Sequence, residues 1–267
     1  MRDTWDPAQY ERFAAERNAP FFELLALVEP APGGRAADLG CGTGALTAEL
    51  HRHLGASETV GIDNSAAMLA RTEAAAGGGL HFESGDIAAF GARARAESGA
   101  GGGWDVLFSN AALQWVSDHE ALLTGFAAAL APGGQLAVQI PANDDHLAHV
   151  VAWELAGEAP FREVLGGGGR PVNVREPDWY ALALDRLGFV EQHVRLQVFL
   201  HHLPGPADVV EWVKGTLLTW YQRHLPAELY ERFLAAYRER LLERLGDLHP
   251  YPYPYKRILF WGRLPGR

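Results

Sequence analysis

Apolar positions in the first half of the chain follow two alternating rhythms. Short apolar runs at Arg35–Leu39, Thr59–Ile62, Leu80–Glu83, Asp105–Phe108 and Leu136–Ile140 read as strands. Between the first two, Leu46, Leu50 and Leu54 recur four apart, which predicts a helix over Ala45–Leu54. His51, Arg52 and His53 fall in its last turn, where cations suit the dipole, and Gly55 follows as a C-terminal cap. Ser65 predicts the cap of a helix running to Ala75. Ser117-x-x-Glu120 reads as a capping box before a helix with Leu122, Leu123, Phe126 and Leu130 on one face, stopped by Pro132-Gly133-Gly134. Strands alternating with helices of this length imply an α/β fold with a parallel sheet covered on both faces.

The second half has a different rhythm. Residues 142–178 read as irregular, with Gly166–Gly169 as a mobile loop. Asp178–Leu187 reads as helix ending at Gly188, Phe189–His201 as a long strand, and 206–246 as mostly helical. Ile258–Leu264 is a final strand, preceded by Tyr251-Pro-Tyr-Pro-Tyr255 as a rigid connector. Gly77–Gly79 and the Gly/Ala/Arg segment 91–103 read as surface loops.

Composition narrows the function classes. A chain of 267 residues holds one large α/β domain with an extra lobe, or two small domains. Its formal net charge of −10 repels phosphate backbones and anionic membranes, and no basic stripe interleaved with aromatics is present, so no nucleic-acid or membrane partner is expected. Cys41 is the single cysteine, so no internal disulfide can form; with no signal-peptide pattern or membrane-length apolar run, a cytoplasmic protein is expected. His146 with His149 and His201 with His202 have metal-ligand spacing, but no third ligand accompanies either pair, so no metal is expected.

The chemistry concentrates in Asp38–Gly44, D-L-G-C-G-T-G, between the first strand and its helix. An open parallel sheet binds ligands beyond the carboxyl ends of its strands where strand order reverses, and this loop sits there. Gly40 and Gly42 let the backbone approach a ligand closely, and the helix behind offers its N–H groups to an anionic group. Gly40, Gly42 and Ala45 also satisfy G-x-G-x-x-A, so a dinucleotide must be weighed. Asp38 would oppose a pyrophosphate but suits a ligand ammonium. Asp63, ending V-G-I-D, is placed to accept from both ribose hydroxyls of an adenosine, a device shared by both cofactor classes. Asp86 is placed to accept from an adenine amine, with Ile87 packing on the ring. Together these favour S-adenosylmethionine (SAM) over a nicotinamide cofactor.

These positions, with F-S-N-A-A-L-Q-W and L-A-P-G-G, resemble the class I SAM-dependent methyltransferases. W-D-P-A-Q-Y near the start, N-A-A-L-Q-W-V-S-D-H, V-Q-I-P-A-N, V-V-E-W-V-K-G-T and K-R-I-L-F narrow the likeness to the trans-aconitate 2-methyltransferase branch, from Trp5 to about Arg263. The resemblance implies a Rossmann-like, seven-stranded, mostly parallel sheet with helices on both faces, a final antiparallel hairpin and a helical lid. It divides the chain into N-terminal lid helices (1–34), a SAM-binding core (35–141), an insertion with loop, helix and sixth strand (142–205), a helical lid insertion (206–256) and a final core strand (257–267). The cofactor contacts it implies are Tyr10, Arg17, Asp38, Gly40, Gly42, Asp63, Asn64, Met68, Asp86, Ile87, Asn110 and Ala111, with Asn110 and Ala111 flanking the methionine portion.

The reaction implied is methyl esterification of a small-molecule carboxylate. A carboxylate oxygen attacks the methyl carbon in line, and S-adenosylhomocysteine leaves. A carboxyl of pKa ~4 is already ionised at neutral pH, so no general base is required and the enzyme's work is orientation and removal of water. Cations must then hold the acceptor; Arg257, His201, Arg170, Arg175 and Lys214 are candidates, with Gln114 and Tyr180 as further orienting groups and Trp115 as pocket wall. Two departures bear on the acceptor. Where the family pattern has E-R-x-R-P this chain has Glu16-Arg17-Asn18-Ala19-Pro20, and where it has T-G-L-R-P this chain has Thr216-Leu217-Leu218-Thr219-Trp220. Losing two arginines and gaining Trp220 points to a less anionic, more apolar acceptor. Two alternatives stand beside this reading. One is O- or N-methylation of a neutral natural product, which would need a base such as His119, His146 or His201; the other is a SAM-binding protein without transfer activity. Monomer and dimer are both compatible with the sequence.

Overall fold

The structure is a computed structural model and describes residues 14–97 and 103–266. One seven-stranded sheet runs in the order β3-β2-β1-β4-β5-β7-β6. Its strands are β1 (Arg35–Leu39), β2 (Glu58–Asp63), β3 (Leu80–Ser84), β4 (Trp104–Asn110), β5 (Leu130–Pro141), β6 (Glu191–Leu203) and β7 (Tyr251–Arg263). The pairs from β3 through β5 are parallel, and β7 runs antiparallel to β5 from Gln135↔Arg263 to Pro141↔Arg257. Strand order reverses between β1 and β4, the place where an open α/β sheet forms its ligand crevice. This is the class I arrangement expected from the sequence.

The described helices are α1 (Ala14–Leu25), α2 (Ala45–Leu54), α3 (Ala66–Leu69), α4 (Ile87–Glu97), α5 (His119–Ala129), α6 (Leu147–Ala156), α7 (Phe161–Leu165), α8 (Pro177–Arg186), α9 (Ala207–Lys214), α10 (Leu217–His224) and α11 (Ala227–Leu245). The chain divides into two compact units. Among the described residues the sheet unit comprises 17–97, 103–141, 173–197 and 257–266, and the helical unit 14–16, 142–172 and 198–256.

In the sheet unit the buried strand faces read as continuous apolar runs, as two-sided burial requires: Ala36, Ala37 and Leu39 on β1, Val106, Leu107 and Phe108 on β4, Leu136, Ala137 and Val138 on β5. Helix α2 has the bounds its leucine stripe predicts, and its Gly55 cap closes on the His51 carbonyl. Four local readings are corrected. The helix begun at Ser65 stops at Leu69, and a separate 3-10 turn covers Glu73–Ala75; Ser65 does cap it, accepting from Met68 N. Helix α5 is capped by Asp118, whose carboxylate accepts from Ala121 N, so Ser117 is not the cap. That helix ends at Ala129, and Pro132-Gly133-Gly134 lies within β5, where its register against β4 shifts between Trp104 and Val106. Residues 91–97 belong to α4 rather than a loop. Gly91 faces Gly125 of α5 so closely that a Cβ there would lie 2.5 Å from Gly125 Cα, so glycine here is a helix-packing residue.

In the helical unit the reading of 142–178 as irregular is corrected by α6 and α7. Leu147–Ala156 is apolar nearly all round, so its period is hidden in sequence; burial of Ala148, Val151, Ala152, Leu155 and Ala156 restores the helical stripe. This face packs into a core with Trp212 and Val213 of α9, Leu218 and Tyr221 of α10, and Phe233, Tyr237 and Leu241 of α11. Phe233 stacks between Tyr221 (centroids 4.6 Å) and Tyr237 (6.4 Å), and Phe161 meets it edge-on at 5.1 Å. Tyr237 buries its hydroxyl by donating to the Ala148 carbonyl at 2.9 Å. The Tyr251–Tyr255 segment is strand, not connector. Its alternation buries Tyr253 and Tyr255 beside Trp212, and Pro252 and Pro254 occupy intervening positions.

Candidate cofactor site

The loop from Gly40 to Gly44 follows β1 directly. Gly40 N and Cys41 N both donate to the Ile62 carbonyl, at 2.8 and 3.1 Å, which ties the loop to the end of β2. Gly40 has φ +88°, and a Cβ there would lie 2.3 Å from the Ala112 Cβ. Gly42 has φ +57° with open space where a Cβ would stand, as a backbone that meets a ligand requires.

One carboxylate braces the loop and a second ties the strand before it to the helix after it. Asp63 accepts from Gly42 N at 2.9 Å through one oxygen and from Ser65 N at 2.8 Å through the other, so it joins the glycine loop to the start of α3. Each oxygen keeps a second lone pair for a ligand hydroxyl. Asp38 is buried and accepts from Thr47 Oγ1 of α2 at 2.6 Å. Burial raises its pKa to about 7, against the opposing pull of Thr47 and with a further push from the Asp63 charge. Cys41 is buried beside both acids; loss of solvent and then their charges push its thiol far above the ordinary range. On the flanks, Asn64 is exposed and Met68 buried. Asp86 is exposed and caps α4 by accepting from Ala88 N at 2.9 Å, with Ile87 as the first helical residue. Tyr10 and the Arg17 side chain lie outside the described residues.

A polar cluster occupies the carboxyl ends of β4 and β5. Asn110 and Gln139 are register partners, and Ala111 N donates to the Gln139 carbonyl at 2.9 Å. Ala111 has φ +56°, a left-handed conformation that costs a non-glycine residue about 1 kcal/mol or more, and such strain concentrates at ligand sites. Gln114 Nε2 donates to the Ala111 carbonyl at 2.6 Å, and Arg257 Nη1 donates to Gln139 Oε1 at 3.3 Å. Three buried atoms here, Asn110 Oδ1, Gln114 Oε1 and Gln139 Nε2, have no partner within the protein. Buried polar atoms without partners are costly, and a ligand that satisfies them recovers that cost. Gln139 escaped the sequence reading; its signal was a lone amide in the apolar run L-A-V-Q-I.

Other candidates are placed differently. Tyr180 is fully buried in the sheet unit, stacked on Phe260 at 4.8 Å. Its hydroxyl donates to His119 Nδ1 (2.7 Å) and accepts from Arg175 N (3.2 Å), while His119 Nε2 donates to the Leu113 carbonyl (2.9 Å). Desolvation holds His119 below the usual imidazole range, so it is neutral, with both nitrogens engaged. His201 is buried in the helical unit, stacked on Trp212 at 5.1 Å. His146 caps α6 through Ala148 N, and burial followed by the neighbouring His149 lowers its pKa to about 4.

This sheet order, with a glycine loop tied to Asp63 at its switch point, is that of the class I SAM-dependent methyltransferases. A family model described as a methyltransferase domain matches residues 36–134. The chain belongs to the trans-aconitate 2-methyltransferase family: it is 40% identical to the Deinococcus radiodurans protein of that name over 98% of this chain and 99% of that one. Among solved structures, the YcgJ protein of Bacillus subtilis shares the fold with a TM-score of 0.59 at 13% identity, covering 94% of this chain and all of that one. Phosphoethanolamine N-methyltransferase 2 of Haemonchus contortus, solved with S-adenosylhomocysteine, does so at 0.54 and 16% identity, covering 92% of this chain and 52% of that one.

Proposed function

We propose that the chain methylates a carboxylate of a small-molecule acid less anionic than trans-aconitate. The observation that carries this is the cluster of half-buried Asn110 and Gln114 with buried Gln139 and Arg257, in which a guanidinium stands beside amide atoms that have no partner within the protein. A guanidinium meets a carboxylate with charge, and the Gln139 Nε2 donor orients it without adding more.

When bound, SAM supplies an electrophilic methyl group on its sulfonium sulfur. Asp63 holds the ribose hydroxyls through the lone pairs left by Gly42 and Ser65. Asp86 accepts from the adenine amine beside Ile87, and Asn64 and Met68 line the adenosine. Asp38 meets the ammonium group's field, and a nearby cation draws its proton off. Asn110 and the Ala111 backbone flank the methionine portion, with Tyr10 and Arg17 as further contacts.

Toward the acceptor, Arg257 pairs with the carboxylate while Gln139 fixes the guanidinium and donates from Nε2. Gln114 is pinned by the Ala111 carbonyl. Tyr180 acts at one remove, by holding the Arg175 backbone. The second missing family arginine falls at Thr219, which is buried and donates to the Thr216 carbonyl at 2.6 Å. Next to it, Trp220 packs on Tyr221 and stacks on His224 at 4.0 Å. Both ring nitrogens of His119 are engaged and Nδ1 of His146 accepts from Ala148 N, which counts against these two as the base a neutral acceptor would need. A cytoplasmic setting suits the one buried thiol.

Methylation assays across mono-, di- and tricarboxylic acids test the acceptor. Monocarboxylates are expected to show the higher kcat/KM, and efficient turnover of trans-aconitate overturns the substrate class while leaving methyl transfer intact. Asp63→Ala should weaken SAM binding by about 1–3 kcal/mol, read by calorimetry, and unchanged affinity removes its ribose role.

A further inference from the structure

Where the chain leaves β4 it is held in a conformation that alanine disfavours. Ala111, at φ +56°, is the one non-glycine among the described residues with a positive φ. That region brings the Cβ of an L-residue against its following carbonyl oxygen. An alanine there returns to negative φ unless its surroundings hold it. Both of its peptide groups are held. Ala111 N donates to the Gln139 carbonyl at 2.9 Å, and the Ala111 carbonyl accepts from Gln114 Nε2 at 2.6 Å. A carbonyl can only accept, so the amide nitrogen of Gln114 must face it, and chemistry fixes the orientation of that side chain.

Gln114 pulls from an anchored base. Its own carbonyl accepts from Asn173 Nδ2 at 3.2 Å, and the Leu113 carbonyl accepts from His119 Nε2 at 2.9 Å. Trp115 N donates to the Ala112 carbonyl at 3.2 Å, which closes the 3-10 turn Leu113–Trp115. What this corner delivers is Ala112. Its methyl group is buried beside Gly40, so close that a Cβ on Gly40 would lie 2.3 Å from it. The torsion at Ala111 sets the direction in which the chain continues to Ala112. A return to negative φ would swing that methyl group away from the glycine loop or into it.

We infer that Gln114 is a positioning residue for the cofactor. Through Nε2 it holds the Ala111 peptide left-handed, seats Ala112 against Gly40, and so keeps the 110–112 backbone and the Gly40–Gly44 loop in register for SAM. The inference rests on the proposed placement of Asn110 and Ala111 beside the methionine portion. It gives the amide nitrogen of Gln114 a task separate from Oε1, which has no partner within the protein.

Calorimetry with S-adenosylhomocysteine, which binds without turnover, tests it on the natural chain, Gln114→Met, Ala111→Gly and the double variant. Methionine is as long as glutamine and has no N–H to donate. Gln114→Met should weaken binding about tenfold, the size of the left-handed bias it releases. Glycine takes positive φ without that bias, so Ala111→Gly alone should bind within about twofold of the natural chain, and the double variant should recover to within about threefold. Ala111→Val keeps Gln114 and raises the left-handed cost; it should weaken binding about tenfold, which keeps the test open if Gln114→Met does not fold. Unchanged affinity in Gln114→Met, or a loss that glycine does not restore, overturns the inference. Urea unfolding of the same variants reads the amide tie apart from the cofactor. Coupling between positions 111 and 114 in unfolding but not in affinity also overturns the inference, through the placement of 110–111 rather than through the tie.

Discussion

Around Gly40–Gly44 the backbone carries the architecture, whereas in the helical unit large aromatic side chains do. The loop's constraints are conformational and short in sequence: a left-handed glycine, a carbonyl shared by two amides, a carboxylate reaching from Asp63 to Gly42. The helical core depends on Phe161, Tyr221, Phe233 and Tyr237, brought from three helices and stacked across long separations. A region of the first kind fixes the position of main-chain donors, as a cofactor shared by many enzymes demands. A region of the second kind can change residue by residue as long as its volume stays filled.

Substitutions that strike one kind of constraint and spare the other make the contrast measurable. The largest expected loss is in the helical core. Phe233→Ala should cost about 3–5 kcal/mol in urea unfolding, because its three ring neighbours surround the space left behind. Gly40→Ala should cost about 2–3 kcal/mol and abolish SAM binding, through the positive φ and the Ala112 collision together. Adding Ala112→Gly removes only the collision, so partial recovery is expected; full recovery would show that conformation is not the constraint.

Asp38 tests the loop electrostatically. Its folded pKa of about 7 lies above the ~3.9 of an unfolded aspartate. The folded state therefore holds the proton more tightly, and that stabilisation is complete below about pH 4 and lost as pH rises through about 7. Ligand-free protein should thus lose stability between pH 5 and pH 8, and Asp38→Asn should flatten that slope by about 1–3 kcal/mol. An unaltered slope would remove Asp38 as its source. The smallest effect is expected at Asp86→Ala: loss of the α4 cap costs about 1 kcal/mol, together with a several-fold fall in SAM affinity. A fall in stability alone would leave Asp86 a cap and nothing more.

The same contrast explains what the sequence made legible. Bounds of β1 and α2 and the turn of the glycine loop between them were readable because each is a local residue choice with a local cause. Helix α6 was not, since Val150 and Trp153 on its outer side look as apolar as its buried stripe. Gly91 looked like a loop residue because the reason for it, Gly125, lies on another helix. Gln139 and the Asp144–Arg170–His149 cluster are likewise pairings across the chain that no local pattern announces.

The lone thiol of Cys41 has a practical corollary. Sealed in the loop and held protonated by its acidic neighbours, it should be inert to iodoacetamide in the closed loop. Alkylation then becomes a clock for loop opening, with a single reactive position per molecule and no background to subtract. Cofactor that holds the loop shut should slow that clock, giving a readout of occupancy that requires no knowledge of what is methylated.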